Sequence, residues 1–202
     1  MKNKLVLPYA LIIFRLLCAP AMLIMGYFGG TNYAFWIVLL LYLGLISDIL
    51  DGIVARNAGV ATPFLRRLDS QVDMIFWVSA GWTAWALHSD VIRENWIAIV
   101  ILFATEALCY LVSFLRFGKE TCTHAWLSKF WGITLLAGFT ELIGFGTGGF
   151  FFKMAIIVGY LSHLDRILIT LIIPEWTHDI PSTYHAWLLR KGQTFKRYKI
   201  FN

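Results

Sequence analysis

The chain has 202 residues, 59% of them hydrophobic and only 14% charged, with nine Trp, sixteen Phe and a formal net charge of +5. Soluble domains carry about 25% charged residues, so the composition excludes an ordinary soluble domain and points to a protein that lives in lipid. At about 20 apolar residues per spanning helix, this length leaves room for roughly six spans and little soluble mass.

Span one is predicted over residues 9–29. Its start, MKNK, followed by an apolar run, is reminiscent of a secretory signal. The run is too long for one and Arg15 interrupts it, so a retained helix is expected. Span two covers 33–50 and runs into SDILDGIVARNAGVATPFLRRLDSQVD at 47–73, where four aspartates stand at the edge of the hydrocarbon. Spans three to six are predicted at 70–89, 95–115, 130–147 and 152–173. None alternates like a barrel strand and each has helical spanning length, so the expected class is all-α: a polytopic integral membrane protein with six transmembrane helices. GFGTGG at 144–149 satisfies a dinucleotide-binding pattern, but that pattern requires a preceding strand and a following helix; here it reads as a turn. Cys18, Cys109 and Cys122 are dispersed and odd in number, which indicates no disulfide framework.

Basic residues orient the spans, because loops rich in Lys and Arg stay in the cytoplasm. Lys2 and Lys4 precede span one; Arg56, Arg66 and Arg67 join spans two and three; Arg116, Lys119 and Lys129 join four and five; Arg190, Lys191, Lys196, Arg197 and Lys199 follow span six. The opposite side holds Arg93 and Lys153. Both termini, and the acidic loop, are predicted to be cytoplasmic.

Asp48 and Asp51 are three apart at the end of span two, and Asp69 and Asp73 four apart at the start of span three. Both spacings put the paired side chains on one helix face. The spans are antiparallel, and with a connection of ten to fifteen residues the two faces can meet. Four carboxylates together repel, and an intramembrane acid calls for a named partner. One or two hard divalent cations, Mg²⁺ or Mn²⁺, are the natural partner for carboxylate oxygens. Two such ions would clamp the attacking and leaving oxygens of a phosphoryl displacement. The alternative is that Arg56, Arg66 and Arg67 pair with the acids and trim the helix ends. Between the acids, Gly52 allows close approach of a ligand, Ala55 keeps the helix face open, Arg56 offers a planar donor fork to a diphosphate, and Thr62 offers a hydroxyl.

The stretch resembles the signature of the CDP-alcohol phosphotransferase (CDP-alcohol phosphatidyltransferase) family: Asp, two residues, Asp-Gly, two residues, Ala-Arg, eight residues, Gly, three residues, Asp, three residues, Asp. Asp48, Asp51, Gly52, Ala55, Arg56, Asp69 and Asp73 meet it in order. LPYALIIFRLLCAP in span one is similar to the family's opening, with Arg15 and Pro20 matching. The resemblance implies two metal ions on Asp48, Asp51, Asp69 and Asp73, with Asp73 also the general base, and contacts from Gly52, Ala55, Arg56 and Thr62 to the CDP moiety. It implies transfer of a phosphatidyl group from a CDP-activated lipid to an alcohol, with release of CMP, and a homodimer in the membrane. The chain departs from the pattern at Leu65, where a glycine is usual, and at Tyr9 and Ile12, where Asn and Thr are common; these put cytidine specificity in question.

Arg15, Arg116, Lys119, His124, Lys129 and Arg166 are candidates for a positive pocket that takes phosphate on the acceptor or donor. The rival meaning for the loop cations is contact with lipid headgroups. Asp165 and Arg166 lie inside span six and require partners or a wet cavity; Glu106 is expected in a buried hydrogen-bond network. Residues 1–174 are expected to form one catalytic membrane domain, and 175–202 a basic, aromatic tail on the membrane surface. Nucleic acid is not an expected partner. A cation or metabolite transporter is the rival class, but transporter sites sit at the midplane between repeated halves, and no second acidic motif is present. If the source is bacterial, the inner or plasma membrane is the expected location.

Overall fold

The computed structural model describes residues 2–60, 62–119, 125–177 and 180–193. Among them every regular element is helical: α1 Lys2–Ile24, a π-helical turn Met25–Gly29, a 3₁₀ turn Gly30–Tyr33, α2 Ala34–Asn57, α3 Pro63–Leu87, α4 Ser89–Glu94, α5 Trp96–Phe117, α6 Trp126–Phe145, α7 Phe150–Ile172 and α8 Thr183–Arg190. Each predicted span lies mainly on one long helix, although span one runs on through the π-helical turn to Gly29 and spans three and five end just beyond their helices. Three helical stretches, Leu5–Asn57, Trp96–Phe117 and Phe150–Ile172, are long and apolar enough to cross a membrane. Among the described residues the protein is all-helical, with three stretches of membrane-spanning length and hydropathy.

Two compact units form, Met1–Glu94 with Leu136–Gly149, and Asn95–Leu135 with Phe150–Asn202. In the first, α1 packs along both α2 and α3, which touch each other only sparsely. The inward stripes repeat every three to four residues, as helices packed on one face require. They include Ile12, Arg15, Ala19 and Met22 on α1; Ile37, Leu41, Gly44, Ser47, Asp51 and Ala55 on α2; and Leu65, the partly buried Leu68, Val72, Phe76, Ala80 and Thr83 on α3. Gly44 lets the Phe76 ring lie directly on the α2 backbone. Further along, Trp77 stacks on Phe139 with ring centroids 6.0 Å apart.

The connection between α2 and α3 is shorter than the ten to fifteen residues expected, because local capping extends both helices. Gly59 adopts φ 68°. Its N–H donates to Arg56 O at 3.2 Å and that of Val60 to Ala55 O at 3.0 Å, the paired bonds that close a helix with a left-handed residue. Thr62 then caps α3, accepting from Leu65 N at 3.2 Å, with Pro63 preorganised at the first helical position. Both acid pairs therefore lie within helices.

In the second unit α5 packs along α7, and α8 folds onto α7. Ala125, Ile169, Ile173, Ile180 and Ala186 form a core there. Asp165 holds the start of α8, accepting from Thr183 N at 3.0 Å and Thr183 Oγ1 at 2.6 Å. On α8, Tyr184 and Trp187 are exposed, and Lys191 Nζ lies 3.8 Å over the Trp187 ring. The remaining tail cations, Lys196, Arg197 and Lys199, lie outside the described residues.

Candidate metal centre

Asp48 and Asp51 project from one face of α2, and Asp69 and Asp73 from one face of α3. The two pairs meet over α1, which packs along both helices. Arg15, fully buried on the inward stripe of α1, reaches all four carboxylates. Its Nη1 donates to Asp48 and Asp73, and its Nη2 to Asp51 and, at 2.6 Å, Asp69. Each terminal nitrogen thus ties a carboxylate of α2 to one of α3. Asp51 is the most enclosed acid, its side chain 4% exposed, while Asp48, Asp69 and Asp73 reach the surface at 30%, 25% and 33%.

The charges do not balance. At ε ≈ 20 two like charges 4 Å apart repel by about 4 kcal/mol, and one guanidinium against four carboxylates leaves the cluster net negative. Asp48, Asp51 and Asp69 each offer an oxygen within 4.8 Å of the others. Ligands at about 2.1 Å from one Mg²⁺ lie at most about 4.2 Å apart, so small movements suffice for these three to share an ion. The donor set is all carboxylate oxygen, the choice of hard cations, and a cationic group already stands among the acids. The residues fit a divalent metal.

Beside the acids, the Arg56 guanidinium lies over Gly52, with Nη1 3.0 Å from where a Cβ would stand. The missing side chain at 52 makes room for that fork one helical turn from Asp51. Ala55 is buried with Ile12, Leu65 and Val72 in one apolar cluster, against which Tyr9, Val60 and Leu68 pack. The three departures from the family pattern, Tyr9, Ile12 and Leu65, therefore occupy one place. Leu65 packs there against the Ile12 side chain, with the Tyr9 ring beside the cluster. Leu65 is 3% exposed, so Leu65→Ala is expected to lower stability by about 2–5 kcal/mol, measurable by thermal unfolding in detergent.

The other candidates belong to the second unit. Arg116 Nη2 donates to Ile173 O at 3.0 Å, and Lys119 Nζ lies 4.7 Å over the Trp176 ring. Lys129 is in the first turn of α6. Arg166 Nη1 donates to Glu106 at 2.5 Å, which gives Glu106 the hydrogen-bond network expected of it, with the carboxylate 29% exposed rather than buried. His163 Nε2 stands 2.9 Å from the same carboxylate, and Nδ1 is 2.8 Å from Thr105 Oγ1. His124 and Cys122 lie outside the described residues; Cys18 and Cys109 are buried free thiols.

Sequence reasoning grouped Arg15 with the phosphate-binding cations; it is bonded to the acids themselves. The available signal was its place in the series Ile12, Arg15, Ala19, Met22, which puts the guanidinium on the packed face of α1. The sequence model of the CDP-alcohol phosphatidyltransferase family matches residues 5–174. No curated protein and no solved structure matches the chain.

Proposed function

The chain belongs to the CDP-alcohol phosphatidyltransferase family, and from that premise we propose that it transfers a phosphatidyl or related phospho-alcohol group from a CDP-activated lipid such as CDP-diacylglycerol to an alcohol, releasing CMP. The observation that supports this most is the convergence of four aspartates from two helices on one cationic group, at the positions of the family signature. In this reading Asp73 takes the proton of the acceptor hydroxyl. The acceptor oxygen forms a bond to the lipid-bearing phosphorus as the bond from that phosphorus to the oxygen of CMP breaks. Asp48, Asp51, Asp69 and Asp73 would hold one or two Mg²⁺ or Mn²⁺ ions, whose positive charge, when bound, favours the negative charge that develops on phosphoryl and leaving oxygens.

Arg56, laid over Gly52, would grip the diphosphate through its fork. Thr62 accepts a bond as a cap, and a hydroxyl still has a proton to donate, so it would serve α3 and the donor together. Arg116, Lys119, His124, Lys129 and Arg166 remain candidates for phosphate on acceptor or donor; Arg166 keeps four further N–H groups beside its bond to Glu106. The six long helices would span the membrane with both termini and the metal centre at the cytoplasmic side, as the Lys and Arg distribution requires. Residues 1–174 would act as one catalytic domain, with 175–202 on the lipid surface and a homodimer as the assembly.

The test supplies purified protein with CDP-diacylglycerol, Mn²⁺ or Mg²⁺ and a panel of alcohols: glycerol phosphate, inositol, inositol phosphate and serine. CMP is expected to appear with at least one acceptor, and EDTA is expected to abolish it. No CMP with any acceptor, or ion flux into liposomes without nucleotide consumption, would reject the enzyme. The apolar cluster of Tyr9, Ile12 and Leu65 favours one second reading, a relative with an altered donor pocket. Turnover of another nucleotide-activated lipid in preference to the CDP form would identify it.

A further inference from the structure

We infer that Arg15 is a resident counter-cation that competes with divalent metal for the four aspartates and so sets the metal affinity of the centre. This rests on the metal reading above. The guanidinium is fully buried, and its Nε has no hydrogen-bond partner among the described residues. The polar contacts that compensate its burial are therefore those to Asp48, Asp51, Asp69 and Asp73. Asp48, Asp51 and Asp69 are the groups that one ion could share, and Asp73 is the fourth ligand of the proposed centre.

Each carboxylate has a second oxygen, so competition does not follow from counting atoms. It follows from charge and position. The guanidinium bridges α2 to α3 through both terminal nitrogens and stands in the middle of the acids. A cation entering among those oxygens meets a fixed positive charge at close range, and it draws away the anions that offset burial of Arg15. Metal binding must either displace the guanidinium or proceed against its field. In the absence of metal, the same bonds tie α2 to α3 between two apolar contacts, Phe76 on Gly44 and Ala55 with Leu65 and Val72. The device explains how a tetra-aspartate cluster can stay folded before it is loaded, and it makes loading responsive to the position of α1.

The opposite possibility has a distinct signature: an arginine that merely orients the carboxylates would, when removed, weaken metal binding. The experiment measures Mn²⁺ binding to detergent-solubilised protein by the EPR signal of free Mn²⁺, for wild type, Arg15→Met, Arg15→Lys and Asp51→Asn, with melting curves in EDTA and in saturating Mn²⁺. Arg15→Met is expected to bind Mn²⁺ about tenfold or more tightly than wild type, since a like charge has been removed from the first few ångströms. Arg15→Lys should fall between them, because an ammonium lacks the fork that spans both helices. In EDTA Arg15→Met should melt below wild type, and in Mn²⁺ the gap should close; recovery of folded Arg15→Met only when Mn²⁺ is present would support the inference equally. Wild type that binds Mn²⁺ while Arg15→Met binds it equally or more weakly would overturn the inference and leave the metal reading intact. Absence of binding in wild type and in Arg15→Met alike, or unchanged binding in Asp51→Asn, would overturn both.

Discussion

Asp73→Asn is expected to lower the rate of CMP release by about 10²–10⁴-fold, the range that a positioned general base contributes. Asparagine keeps the shape of the side chain and removes its ability to take the hydroxyl proton. Arg15 would still bond Asp48, Asp51 and Asp69, and Asp73 is the most exposed of the four acids, so the folded state should survive. The measurement is single-turnover CMP formation at saturating Mn²⁺, beside a melting curve of the same preparation. A variant that is folded and within about threefold of wild type would place the base elsewhere. Asp73 is also a proposed metal ligand, so Mn²⁺ titration of the rate separates the roles: a loss that persists at saturation is loss of the base.

The second large effect is on stability, in the other unit. Glu106→Ala is expected to destabilise the protein by about 1–3 kcal/mol, the range for leaving buried polar groups without their partner, because Arg166 and His163 are buried while the carboxylate itself is 29% exposed. Its carboxylate accepts from Arg166 at 2.5 Å and lies 2.9 Å from the fully buried His163. Without it, a guanidinium and an imidazole are left in the packed seam between α5 and α7. Replacing the pair together should be milder, since a buried ion pair exchanged for apolar groups of similar volume is often neutral. The double variant Glu106→Ala, Arg166→Met, compared with each single variant, should therefore recover much of the loss. Unfolding in detergent across this cycle measures the coupling; a Glu106→Ala loss below about 1 kcal/mol would show that the carboxylate does not hold the seam.

Arg166 illustrates how far sequence reasoning reached. An arginine and an aspartate inside an apolar span demand partners, and the demand was correct. Which partners could not be read, because Glu106 lies sixty positions away in the chain and Thr183 lies in the stretch expected as a tail on the membrane surface. The same holds for the connection between α2 and α3. Gly59, Thr62 and Pro63 are visible stop and start signals, yet apolar runs alone suggested a longer loop, because the charged residues Arg56, Arg66 and Arg67 broke the hydropathy without breaking the helices. The clustering of Tyr9, Ile12 and Leu65 was likewise invisible: Leu65 reads as bulk in place of a glycine and Tyr9 and Ile12 as lost polar groups, and only packing brings the three together.

What the sequence determined by itself was the helical membrane class, the position of each long helix, and the pairing of acids on two helix faces. These follow from local quantities: run length, helical periodicity and residue spacing. What only the tertiary structure decided was that the acids meet across α1, with Arg15 among them. Spacing along a helix fixes which side chains share a face, but the identity of the helix laid against that face is set by burial over the whole length of three packed stripes, and no short motif encodes it.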